Sequence, residues 1–229
     1  MFSRLPIKRL IFDLITNPFI FIRDIYYNFK ILPFSLAKYL PMHISRNVKE
    51  ICIKGRVKIL NPKYKCILLG KGKSPGIQCF RGGILIGDEA EIIFESTAVI
   101  SEGTVLRCDE HASIYIGSNF YANSNCYLRS TSSIKIGKDV SFGWSVTLNT
   151  SDGHPIYHNN IRTIMDGPIE IGNNCWLTPH VIMTKNSKIG EGCIVCQNSI
   201  ITCKHNETNV LLGGTPAKIL RRNISWRTH

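Results

Sequence analysis

An aliphatic residue returns at every sixth position through the second half of the chain: Ile171, Leu177, Met183, Ile189, Val195 and Ile201. Four residues after most of these comes a second, smaller one: Cys175, Val181, Ser187, Cys193 and Ser199. A period of six is neither the 3.6 of an α-helix nor the 2 of an ordinary strand. Between the hexads lie Gly172-Asn173-Asn174 and Gly190-Glu191-Gly192, residues suited to tight corners. A chain that turns every six residues makes a three-sided coil with its repeated aliphatic side chains pointing inward. No single rung buries its own apolar face, so the rungs must stack.

The hexads therefore predict a mainly β protein, a left-handed parallel β-helix. The register is already present at Ile86, Ile92 and Ala98, and Val99 to Val105 continues it with a slip. One full coil then runs through Ile116, Ala122 and Leu128, and the next through Ile136, Phe142 and Leu148. Gly87, Gly117, Gly137, Gly172 and Gly190 each follow an inward aliphatic residue, where unusual backbone angles or close chain approach are expected. Alternation at Ile51/Ile53 and Val57/Ile59 marks the first strands.

Residues 1–45 differ from the rest. They contain no glycine, and large apolar residues recur at spacings of three and four from Leu10 to Phe29, with breaks near Pro18 and Pro33. This predicts a helical extension. The β-helix domain is expected over 46–213 and a basic tail over 214–229. Net charge is +12; residues 1–58 hold eleven Lys/Arg against three Asp/Glu, which is +8 of it. A basic surface suits phosphorylated ligands or anionic lipid. No RNA-binding signature or zinc finger accompanies it, which argues against nucleic acid. The uncharged run Leu14 to Ile22 is too short to span a bilayer. The extension reads either as a cap on the end of the coil or as a segment resting on a membrane surface.

Nine cysteines raise disulfides or zinc. Cys126, Cys175 and Cys193 instead fall on the small inward position, where Cys acts as a compact hydrophobe. Cys193-x-x-Cys196 has no second pair to complete a zinc site. An odd count without a signal peptide favours a reducing, cytoplasmic setting.

Residues 149–168 have no hexad. A loop ejected from a rigid coil is where function is expected. It contains Asp152-Gly153-His154-Pro155. The turn before His154 and the proline after it fix an imidazole at the edge of the coil, where a neutral ring accepts a proton from a hydroxyl.

The hexads, this loop histidine before proline, Cys175-Trp176-Leu177 and the tail Gly214-Thr215-Pro216-Ala217-Lys218 together resemble the hexapeptide-repeat acyltransferases. They resemble most the maltose/galactoside O-acetyltransferases and, more narrowly, the bacterial polysaccharide O-acetyltransferases. The resemblance covers about residues 84–222. It implies a homotrimer with sites in grooves between coils, acetyl-CoA as co-substrate, a glycan hydroxyl as acceptor, and no metal. It implies His154 as general base and Tyr121, Asn123 and Trp176 on the acceptor side. Thr178, Gln197, Ser199, Thr202, Lys218 and Arg221 would line the CoA groove. Thr178 stands where the family usually has Gly, and Cys203-Lys204 where it has Lys-Asp. The polysaccharide branch brings a lipid-linked acceptor into the expectation, and the basic charge and large apolar residues of the N-terminal segment add peripheral membrane contact through residues 1–45. Two rival classes are a zinc enzyme resembling γ-class carbonic anhydrase, which needs three convergent histidines, and a non-catalytic scaffold. Within acetyltransferases, a small sugar or drug acceptor is the alternative.

Overall fold

The computed structural model describes residues 6–72 and 75–227; the first five residues of the expected extension lie outside these. Among the described residues the chain forms three helices, then a coil with three flat faces and an exposed two-stranded hairpin.

Face A stacks Met42–Ile44, Ile67–Leu69, Ala98–Ile100, Phe120–Ala122, Ser141–Phe142, Trp176–Leu177, Ile194–Val195 and Val210–Gly214, and ends on Ala217–Arg222. Face B runs from Val48–Ile53 to Ile200–Ile201, and face C from Arg56–Ile59 to Lys204–His205. Every pairing in the coil is parallel until the last, where Ala217–Arg222 turns back antiparallel on Val210–Gly214. The chain visits the faces in the order A, B, C and climbs one strand spacing per circuit. Ile116 pairs with Ile136, Ile136 with Ile171 and Ile171 with Ile189.

The predicted inward residues of the main repeat, from Ile171 to Ile201, are all buried, as are Cys126, Cys175 and Cys193. Fully burying a Leu or Ile contributes roughly 1.5–3 kcal/mol, and the interior is a continuous column of such residues. Burial also holds the Cys108 and Cys126 thiols protonated, pushing them up to about 11 and about 12.

Three sequence expectations are corrected. Val99 and Val105 face outward; Ile100 and Leu106 occupy the interior instead. All three residues of Ala98-Val99-Ile100 are apolar, so either frame fits the pattern, and only packing selects one. The coil starts at Met42 rather than 46, and part of the tail is the closing strand. The glycines that follow the inward aliphatic residues allow the close chain approach expected of them: a Cβ on Gly172 would meet Glu191 N at 2.6 Å. Left-handed backbone angles fall on other residues, among them Asn119, Asn125, Asn174, Asn186, Asn198 and His180, Asn being the non-glycine residue that tolerates them best.

Helices α1 (Ile7–Thr16), α2 (Pro18–Ile31) and α3 (Phe34–Ala37) precede the coil. Pro18 opens α2, where its missing N–H costs nothing. Asn28 of α2 donates to Met42 O at 2.7 Å and accepts from Met42 N–H at 3.0 Å; Asp24 accepts from Ile44 N–H at 3.1 Å. These are backbone groups of the first strand that have no rung beyond them. Arg23 donates to the carbonyls of Ile44, Ser45 and Val48. Thus α2 takes the place of a missing rung across the end of the coil.

Candidate active site

Face A carries a pocket of about 420 Å³. Its walls come from successive rungs: Tyr121 and Asn123, then Ser141, Phe142, Gly143 and Trp144, then Trp176 and Pro179, with Trp226 and Arg227 from the tail. The chain has three tryptophans, and all three line this one pocket. The strands of this face stack in register, so Tyr121 pairs with Ser141 and Ser141 with Trp176. Stacking alone therefore aligns these outward side chains. Gly143 keeps the floor low, since a Cβ there would meet Pro179 N at 2.5 Å.

At the A/B corner Trp144 donates its indole N–H to His180 Nε2 at 3.2 Å. On the opposite side the tail returns, and Trp226 donates to Asn174 O at 2.7 Å. The Trp176 and Trp226 rings are 5.8 Å apart.

Tyr121, Asn123 and Trp176 were expected on the acceptor side, and the fold brings them together. Sequence reasoning missed Trp144, Trp226 and Arg227. Trp144 was findable, being an aromatic at the corner one rung before Trp176. Trp226 carries no local signal, because its position depends on the tail folding back.

His154 lies elsewhere. It follows the Thr147–Asn149 strand of face B and precedes Ile169–Ile171 of face C, so it stands at the B/C edge. Its side chain is exposed. The base of its loop is firmly tied. Ser151 bridges Asp166, Asp152 N–H donates to Met165 O, and Gly167 N–H donates to Thr150 O. Ser151 Oγ accepts Gly153 N–H at 3.1 Å, forming the turn before His154. Hydrogen bonds from the Ser151 and Thr131 hydroxyls hold the Asp166 carboxyl below its usual range, against the opposing effect of burial. Lys185 pairs with Asp152 at 2.5 Å and donates to Ile164 O. Beyond this base the hairpin Tyr157–His158/Ile161–Arg162 projects, with Ile156, Tyr157, Ile161 and Ile164 exposed.

The expected CoA-groove residues divide. Lys218 and Arg221 are exposed on the closing strand of face A. Gln197 is exposed at the A/B corner, and Thr202 at the B/C edge, on the same edge as His154. The Thr178 hydroxyl is used within the coil, donating to Val195 O at 2.7 Å. Ser199 does not line a groove. It is fully buried, and its Oγ accepts Gly214 N–H at 3.0 Å. Being at the small position of its hexad, it points inward by the same rule as Cys175 and Cys193.

The outward surfaces of the faces differ. Face C carries ion pairs: Lys58 with Glu91 at 2.5 Å and Lys188 with Glu170 at 3.0 Å. Face A presents Leu68, Val99, Tyr121, Trp176 and Ile194; face B presents Val105, Tyr127, Ile182 and Ile200 together with Arg107 and Arg129, both paired with Asp109. Among the described residues no three His, Cys, Asp or Glu side chains converge as metal ligands.

The galactoside O-acetyltransferase of Escherichia coli K12 is 35% identical to this chain over 112 residues, 48% of this chain and 54% of that enzyme. A Saccharomyces cerevisiae protein named as an acetyltransferase is 32% identical over 120 residues, 50% of this chain and 59% of that protein. The chain spans little more than half the length of either relative. Among solved structures, the polySia-specific acetyltransferase NeuO superposes with a TM-score of 0.61 over 79% of this chain and 83% of its own. At 20% identity that likeness concerns the fold. No family model matches the chain.

Proposed function

We propose that this protein is an acetyl-CoA-dependent O-acetyltransferase working as a homotrimer on a sugar hydroxyl of a bacterial surface polysaccharide. The acceptor would be carried on a lipid at the cytoplasmic side of the membrane. The observation that carries the reading is the separation of the candidate residues. Tyr121, Asn123 and Trp176 share the face A pocket, while His154 stands at the B/C edge of the same chain. In a closed three-fold assembly with face C outward, face A of one copy meets the B side of the next. The B/C edge then brings His154 to the neighbour's pocket. The apolar outward residues of faces A and B, and of the exposed hairpin, support that packing; a charged face C suits solvent.

The chemistry needs no enzyme nucleophile. His154 takes the proton of the acceptor hydroxyl as its oxygen attacks the thioester carbonyl. Backbone N–H groups facing the groove would hold the developing oxyanion. The C–S bond breaks, the CoA thiolate leaves, and the imidazolium returns a proton. Lys218 and Arg221 on the closing strand would meet CoA phosphates as charge-assisted partners, with Gln197 and Thr202 along the groove.

Complementation tests the assignment. His154→Ala and Trp176→Ala chains, each inactive alone, should regain activity with acetyl-CoA when co-expressed, because a mixed trimer holds one site with both residues intact. Activity that never returns in mixed trimers would refute a site shared between copies. A glycan panel graded by length and linkage identifies the acceptor.

A further inference from the structure

The two N-terminal helices are turned inside out relative to an ordinary surface helix. An amphipathic helix on a soluble protein buries its apolar stripe and exposes its polar one. In α2 the residues facing the coil include Asp24, 1% exposed, and Asn28, 0% exposed, both used in capping the first strand. Half a turn away, on the outward side, lie Phe19, Ile22, Tyr26 and Phe29, exposed by 74%, 59%, 55% and 46%. In α1 no residue is buried, and Ile7, Ile11, Phe12 and Ile15 are all more than half exposed. Asp13, its one acid, turns toward the coil, accepting from Tyr64 at 2.5 Å and pairing with Lys65 at 2.8 Å. The outward surface of the helical layer therefore combines large apolar side chains with Lys8, Lys30 and Lys38, all exposed. The only acids of the described helices, Asp13 and Asp24, are withdrawn into contacts with the coil.

We infer that this face is a docking surface for an anionic lipid bilayer, on which the coil stands end-on. Three features select that occupant. The face is apolar at its centre, as insertion into the headgroup boundary requires. Its charge has one sign, so a second copy meeting it head to head would bring like charges together, whereas anionic lipid neutralises them. It lies across the end of the coil, away from faces A and B, so side-by-side association of copies leaves it uncovered. Neither helix is long and apolar enough to cross a membrane, so the contact is peripheral. The cap and the membrane surface, alternatives on sequence grounds, occupy opposite sides of the same helix.

The inference is separable from the acetyl-transfer reading, since binding is measured with no substrate present. The full chain is mixed with vesicles of phosphatidylcholine, or of phosphatidylcholine with phosphatidylglycerol, and floated. It should bind the phosphatidylglycerol vesicles, bind less as salt rises, and ignore pure phosphatidylcholine. The Phe19→Ser, Ile22→Ser, Phe29→Ser triple variant, whose sites are all exposed, should bind roughly a hundredfold more weakly, with the melting temperature unchanged. A wild-type chain that stays unbound at low salt overturns the inference. So does a triple variant that floats as well as wild type. So does light scattering that shows stacked assemblies in wild type and not in the triple variant, which would make a second copy the occupant.

Discussion

Trp226 covers Trp176: their ring centroids are 5.8 Å apart at a 36° tilt, and Asn174 O anchors the Trp226 indole at 2.7 Å. A residue fifty positions away in sequence thus walls the pocket that the rungs begin. Trp226→Ala opens that wall. It is expected to lower kcat/KM roughly ten- to a hundredfold, the range for removing an aromatic anchor, without changing circular dichroism. Because every tryptophan lines this pocket, intrinsic emission should shift on adding CoA or acceptor. An unmoved kcat/KM would make the tail a bystander.

His154→Ala is expected to reduce kcat by at least about a hundredfold, the low end for general-base catalysis. The side chain is exposed, so melting temperature and sedimentation should match wild type. Turnover close to normal would remove the residue from the mechanism.

Asp166 ties the loop that presents His154. Its carboxyl sits below the ordinary value of 3.8, chiefly through the Ser151 hydroxyl. A depressed carboxylate stabilises the folded loop fully above the ordinary value and loses that contribution as pH falls through the lower folded one. No change is therefore expected between about pH 5 and 8, and loosening should begin only below about pH 4. At neutral pH, Asp166→Asn should speed tryptic cleavage at exposed Arg162 roughly tenfold while leaving the coil intact. Equal cleavage rates would show that the loop does not depend on this carboxylate.

Asn28→Leu removes a donor and an acceptor from Met42 and leaves both backbone groups buried without partners. The expected cost is roughly 2–4 kcal/mol, read as a shift in urea midpoint with unchanged slope. A shift under about 0.5 kcal/mol would mean that water replaces the side chain.

The coil was legible because its period is unlike any other: Ile171 to Ile201 declare the interior directly. Inward cysteines followed from the same register, and so did the inward Ser199, although the family resemblance drew it toward the groove. The 98–100 frame was not legible, because three consecutive apolar residues carry no alternation. The corners signal through Asn119, Asn125, Asn186 and Asn198 as much as through glycine, a pattern that a search for Gly overlooks. The pocket was half legible. Tyr121 and Trp176 sit on rungs whose alignment the repeat dictates, whereas Trp226 arrives by a tail whose path depends on contacts distant in sequence. The inverted polarity of α2 was hidden too, because periodicity shows that a stripe exists and not which way it faces.

The two ends of the coil differ in one more respect. A parallel rung with free N–H and C=O groups is a template for another rung, and stacked without limit such rungs make a fibre. At the start, Asn28, Asp24 and Arg23 occupy those groups. At the finish, the chain reverses, and Ala217–Arg222 offers an antiparallel edge guarded by Lys218, Arg221 and Arg222. On face A a rung arriving in register finds no matching partner at either end. The length of this protein is thus enforced by its terminators, and end-to-end polymerisation should require loss of both, the helices before Met42 and the closing strand Ala217–Arg222.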